Sequence, residues 1–157
     1  MEEQTGRALR ELEVASREAP NNTDVAITFG EALMSQGSAD GVARARNEYD
    51  RALGLLDKRI RRLQRFSMLA LDERISRTRC LAALGMSDQA MAEIQQVLSE
   101  SPQNSEAWVV SAVVHAMADR RELALEAMRR ARQAGVTLGR LREEWPLRDL
   151  AQNFGGK

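Results

Sequence analysis

At 157 residues the chain is long enough to bury one core and too short for two independent ones. Apolar residues at 43% and charged residues at 29% are those of a soluble globular fold, while aromatics at 4% and only three prolines point away from β architecture. Twenty-three basic residues balance twenty-three acidic ones, which excludes a global field that would draw in nucleic acid or an anionic membrane surface.

In chain order, Ala8, Leu12 and Ala15 form one stripe of a helix expected over residues 4–18. The joint Pro20-Asn21-Asn22 ends it, because the residue before a proline is pushed out of the α region, and Thr23 is placed to cap the next helix. That helix carries Phe29, Gly30 and Leu33 and ends at Gly37, a residue suited to the left-handed position after a helix. Ala45, Tyr49 and Ala52 mark its partner, and the stripe runs on through Leu53, Leu56, Ile60 and Leu63, so one long helix to about Arg65 is expected.

A helix from about Ser67 to Leu84 follows, packing through Met68, Leu71, Ile75 and Leu81. The next carries Ala90 and Ile94 between Gly85 and a second joint, Pro102-Gln103-Asn104, which repeats the first. Beyond it, Trp108 and Ala112 lie on one helix and Ala124, Met128 and Ala131 on another, with Asp119 at the turn between them. From Thr137 to Phe154 the pattern changes to short segments, in which Leu141, Trp145, Leu150 and Phe154 are expected to cover the open end of the array.

The order Gly30, Leu33, Gly37, Ala45, Tyr49, Ala52, matched again by Trp108, Ala112, Ala124, Met128 and Ala131, resembles the tetratricopeptide (TPR) signature over roughly residues 5–136. The resemblance implies an all-α fold of antiparallel helix hairpins in a right-handed superhelix. Its repeats would span about 23–57, 67–102 and 105–136, with an N-terminal half repeat at 4–18 and a C-terminal cap at 137–154. Ala45, Ala90 and Ala124 would be the close helix contacts, and Trp108→Ala would cost roughly 3–5 kcal/mol if that ring fills the core. Two departures stand out: Gly37 to Gly41 adds about three residues, assigned to the loop, and Arg77 and Thr78 occupy positions where a large apolar and a small residue are expected.

In this family the first helix of each hairpin lines a concave groove that takes a partner's peptide or amphipathic helix. Carrying those positions over gives Ile27, Glu31 and Met34, then Ile75 and Arg79, then Val109, Val113 and Met117, a largely apolar groove with a few charges. Ile27, Ile75 and Val109 stand where the subgroup that clamps chaperone tails has Lys and Asn, which disfavours that specificity. The competing accounts are that the chain fills the groove itself and that it self-associates as a homo-oligomer.

Nothing in the sequence points to an enzyme or a cofactor. His115 is the only histidine and reads as a packed, hydrogen-bonded ring; Cys80 reads as a small buried hydrophobe; and no Gly-rich phosphate loop is present. Carboxylates such as Glu11, Glu13, Glu18, Glu143 and Glu144 read as solvated helix faces. The cluster Lys58, Arg59, Arg61, Arg62, Arg65 reads first as a solvated helix end favoured by the helix dipole, with contact to nucleic acid or an acidic partner as the minority reading. One unpaired cysteine, an N-terminus without a leader pattern and no apolar run of membrane-spanning length lead to an expected cytoplasmic location without membrane insertion.

Overall fold

The computed structural model describes residues 2–63, 70–152 and 154, and its regular elements among them are all helical. They are α1 (Glu2–Glu18), α2 (Thr23–Ser35), α3 (Ala39–Leu63), α4 (Leu71–Ala83), α5 (Ser87–Glu100), α6 (Ser105–Met117), α7 (Arg121–Gln133), α8 (Leu138–Glu143), a 3-10 turn (Trp145–Leu147) and α9 (Arg148–Gln152). Each helix from α1 to α7 packs on the next, α4 also packs on α6, and the 3-10 turn rests on α6.

The two proline joints work alike. Asn22 and Asn104, not Thr23, are the caps: the Asn22 side chain accepts from the amides of Asp24 and Val25 at 3.0 and 3.2 Å, and Asn104 accepts from Ala107 at 2.9 Å. An asparagine oxygen in the N-cap position satisfies amides that have no intrahelical partner. Thr23 is instead the first, buried residue of α2, its hydroxyl accepting from Arg59 at 3.1 Å. Asp119 stands in for the turn glycine with φ of +58°, the left-handed conformation that aspartate tolerates better than most side chains.

Of the residues assigned to a longer loop after Gly37, Ala39, Asp40 and Gly41 are helical. Ser38 accepts the Gly41 amide on its hydroxyl at 3.0 Å, so α3 begins at Ala39 and gains a first turn while the connection stays short. At the far end α3 reaches Leu63, and α4 begins at Leu71; Arg65, Ser67 and Met68 lie outside the described residues.

Ala45, Ala90 and Ala124 are fully buried, as close helix contacts require. The anomalous pair on α4 is accommodated by polar contacts. Thr78 turns its hydroxyl back to the Arg74 carbonyl at 2.9 Å, and Arg77 bridges Asp57 of α3 and Glu93 of α5, each at 2.7 Å.

Helix α6 contributes to two of the three core clusters among the described residues. Its Ala107, Val110 and Val114 belong to the cluster shared with α4 and α5, whereas Val109, Ala112 and Val113 belong to the cluster shared with α7 and the C-terminal segment. The buried alanines and valines of α6 thus face neighbours on both sides, while Glu106 keeps a partly exposed side chain. Leu141, Leu147, Leu150 and Ala151 close that second cluster, with Phe154 packed against it. Trp145 does not join the end cap; Leu147, fully buried, takes the place expected for it.

Trp108 is only partly buried, and its indole nitrogen donates to the Pro102 carbonyl at 2.8 Å. Trp108→Ala is therefore expected to cost about 2 kcal/mol rather than the full-core value, because part of the side chain remains exposed. Chemical denaturation would check it.

Candidate functional site

Where α2, α4, α6 and α8 meet, the surface is organised by charge. From α4, the Arg79 guanidinium contacts Glu31 of α2 at 3.1 Å, Glu106 of α6 at 2.7 Å, and both carboxylate oxygens of Glu144 at 2.6 and 3.1 Å. Arg140 of α8 contacts Glu144 at 2.5 Å and Glu106 at 3.5 Å. Three carboxylates thus share two guanidiniums. The planar fork of arginine suits it to such multiple pairing.

The protonation preferences follow from position. Burial pushes the Glu31 carboxyl above the ordinary range, opposed by Arg79 and reinforced by the negative charge of Glu144. Burial also acts to raise Glu144, but the charges and hydrogen bonds of Arg79 and Arg140 outweigh it and hold this carboxyl below the ordinary range. Arg79 is held firmly charged: burial opposes its charge, and the surrounding carboxylates overcome that. Glu144, expected in water, is 6% exposed, whereas its neighbour Glu143 is exposed.

Beside this network a cavity of about 350 Å³ opens between α2, α4 and α8. It is lined by Asp24, Ile27, Thr28 and Glu31 from the first, Ser76 and Arg79 from the second, Arg140 and Glu143 from the last, and Glu144 just beyond it. A much smaller space, about 10 Å³, lies where Trp145 and Pro146 meet Glu31, Tyr49, Arg79, Ala83, Val113 and Met117.

Of the carried-over groove positions, Ile27, Glu31 and Arg79 line the larger cavity, and Glu31, Arg79, Val113 and Met117 line the space at Trp145. Ile75, Val109 and Val113 are buried in the core, and Met34 packs on the cluster of α2 and α3. The valines of α6 are consumed by packing on both sides, and the cavity between α2, α4 and α8 is lined mainly by polar and charged side chains. Sequence reading missed Arg140 and Glu144, whose pairing with Arg79 joins residues 65 apart for Glu144 and carries no local periodic signal.

In the basic cluster, Lys58, Arg59, Arg61 and Arg62 are exposed on the last turns of α3. Arg59 is tied down, donating to the Thr23 hydroxyl and, at 3.4 Å, to the Asn21 carbonyl.

His115 is half-buried and its Nδ1 has no hydrogen-bond partner, contrary to the hydrogen-bonded ring expected; burial, then the charge of Arg120, holds its pKa low, which favours the neutral imidazole. Cys80 is fully buried, and burial raises its thiol to about 12. Native protein is expected to resist thiol-specific reagents at pH 8 and to react once unfolded in urea, since the thiolate is the reactive form. Labelling followed by mass spectrometry checks this.

Among the described residues no group of His, Cys, Asp and Glu could hold a metal ion, and no described helix is long and apolar enough to cross a membrane.

No protein-family model matches the chain, and no curated protein matches it. Among solved structures it is similar to "MamA RS-1 ArsTM double mutant", with a TM-score of 0.50 and 16% identity, over 96% of this chain and 80% of that one. At that identity the likeness bears on the fold alone, and it supports an all-α stack of helix pairs of the TPR-like kind.

Proposed function

We propose that the chain is a non-enzymatic protein-interaction scaffold whose concave side receives a segment of another protein. In this reading three TPR-like hairpins, about 23–57, 67–102 and 105–136, follow a half repeat at 4–18 and are closed by a cap at 137–154. The observation that carries it is the cavity between α2, α4 and α8, about 350 Å³ and bordered by three of the carried-over positions, Ile27, Glu31 and Arg79. Its charged lining suits a segment with polar or charged side chains, anchored by Ile27, better than the wholly apolar face of an amphipathic helix. Ile75, Met34, Val109, Val113 and Met117 then act from behind, fixing the helices that frame the site.

Thr28 is exposed on the cavity wall, so Thr28→Trp fills the space without disturbing the core. In an affinity capture from source-cell extract, a bound protein is expected to be lost with Thr28→Trp and retained with Arg59→Glu/Arg62→Glu. Retention on the filled cavity would place binding elsewhere. The exposed cations Lys58, Arg59, Arg61 and Arg62 favour the second reading, contact with nucleic acid or an acidic surface, for which the opposite pattern of loss and a steep salt dependence are expected. Self-association, the remaining alternative, would draw on exposed apolar residues such as Val14, 50% exposed on α1, and would show as a mass that rises with concentration.

A further inference from the structure

The segment between α8 and α9 is anchored at both ends and polar in the middle. Leu141 and Leu147 are fully buried in the end cluster, and between them the chain leaves the helix at Glu144 with φ of −71° and ψ of 110°, an extended conformation. Glu144, Trp145 and Pro146 then lie across residues of four helices: Glu31 of α2, Tyr49 of α3, Arg79 and Ala83 of α4, and Val113 and Met117 of α6. The fit is close, with only about 10 Å³ left between them.

Interior packing alone does not require this arrangement. A cap needs apolar side chains over the end of α6 and α7, and Leu141, Leu147, Leu150 and Ala151 supply them. What Glu144 and Trp145 add is the chemistry of a bound peptide: a carboxylate held by both terminal guanidinium nitrogens of one arginine, followed by a ring placed against the helices that frame the groove.

We propose that Glu144-Trp145-Pro146 is a built-in occupant of the binding face, a strap that a partner segment of the same chemistry, a carboxylate followed by an aromatic ring, displaces from Arg79. This rests on the reading of the concave side as a protein-binding face.

Exchange of one carboxylate for another keeps the Arg79 guanidinium paired throughout, so the large penalty of leaving a buried charge alone is avoided. The adjoining cavity between α2, α4 and α8 gives the incoming segment a route to Arg79 from solvent, and Leu141 and Leu147 keep the cap seated while the residues between them swing out. A partner must therefore outcompete a tethered rival, which lowers its apparent affinity by the fraction of molecules whose strap is open.

The test uses the full chain and a synthetic peptide of residues 141–150. In the Glu144→Gln/Trp145→Ala variant the strap's two contacts are removed while its leucine anchors remain. The fluorescently labelled peptide is expected to bind this variant about tenfold or more tighter than wild type, and a peptide carrying the same two substitutions is expected not to bind either protein. Equal binding of the unmodified peptide to both proteins overturns the proposal.

Should the variant fail to fold, a Trp108→Phe chain leaves Trp145 as the sole tryptophan. Titration with a peptide bearing Phe at position 145 then shifts its emission to the red as the ring enters water, and an unmoved spectrum up to millimolar peptide overturns the strap. Loss of partner capture by Thr28→Trp is a separate readout, so the scaffold reading and the strap can fail independently.

Discussion

Arg79→Met is expected to destabilise the fold by about 3–5 kcal/mol at neutral pH, the usual cost of removing one member of a buried ion pair and stranding the others. Arg79 has a side chain only 11% exposed, and the glutamate it leaves behind, Glu144, is 6% exposed. Arg140 pairs with that carboxylate from one side and is itself 39% exposed, so it compensates in part. Methionine matches the length of the arginine stem and keeps the packing, which confines most of the loss to charge.

The pH dependence gives this prediction a second, sharper form. In wild type the Glu144 carboxyl is depressed by the arginines against the effect of burial, so its contribution is present above the unfolded value and is lost as pH falls through the lower folded value. Glu31 is raised by burial, so its ionised form costs stability that is regained as pH falls through its folded value. Without Arg79, burial dominates at both carboxyls, and protonation relieves both. The deficit of Arg79→Met should therefore shrink between about pH 8 and pH 5, read from urea midpoints with unchanged slopes. A deficit under about 1 kcal/mol, the range of an exposed pair, or one independent of pH, would show that the network is solvated.

The second large effect lies in the contact between α2 and α3. Tyr49 is 1% exposed, and a methyl group built on Gly30 would sit 2.9–3.2 Å from three of its ring carbons. Tyr49→Ala is expected to cost about 3–5 kcal/mol, as for other large aromatic deletions from a core. Gly30→Ala alone should cost about 1–3 kcal/mol through overpacking. In the Tyr49→Ala background the sign should reverse to a gain of about 0.5–1 kcal/mol, since the clash is gone and alanine is the better helix former. A double-mutant cycle measures this coupling; a stabilising Gly30→Ala in the wild-type chain would mean that the ring does not cover the glycine.

The contrast between these two sites marks what could be read from sequence. Gly30 and Tyr49 belong to a spacing set by helical periodicity, and so do the buried alanines, the paired asparagine joints and the left-handed Asp119, because each answers to geometry within a few residues. The extra turn of α3 was misassigned to a loop because it depends on a single serine cap. Arg79 was placed on the concave side through the family resemblance, but its saturation by Glu31, Glu106 and Glu144 depends on where the C-terminal segment returns. That return leaves no periodic trace, so Trp145-Pro146 read as a terminal plug rather than a strap across four helices.

The proposed meeting point of a partner with this chain is the cavity between α2, α4 and α8. It is tested most directly by site-specific photocrosslinking in source cells, with a benzophenone amino acid placed at Thr28 on the cavity wall or at Leu123 on α7, which is 48% exposed and outside the cavity. A discrete crosslinked protein is expected from position 28 and none from position 123. Crosslinking only from position 123 would contradict it.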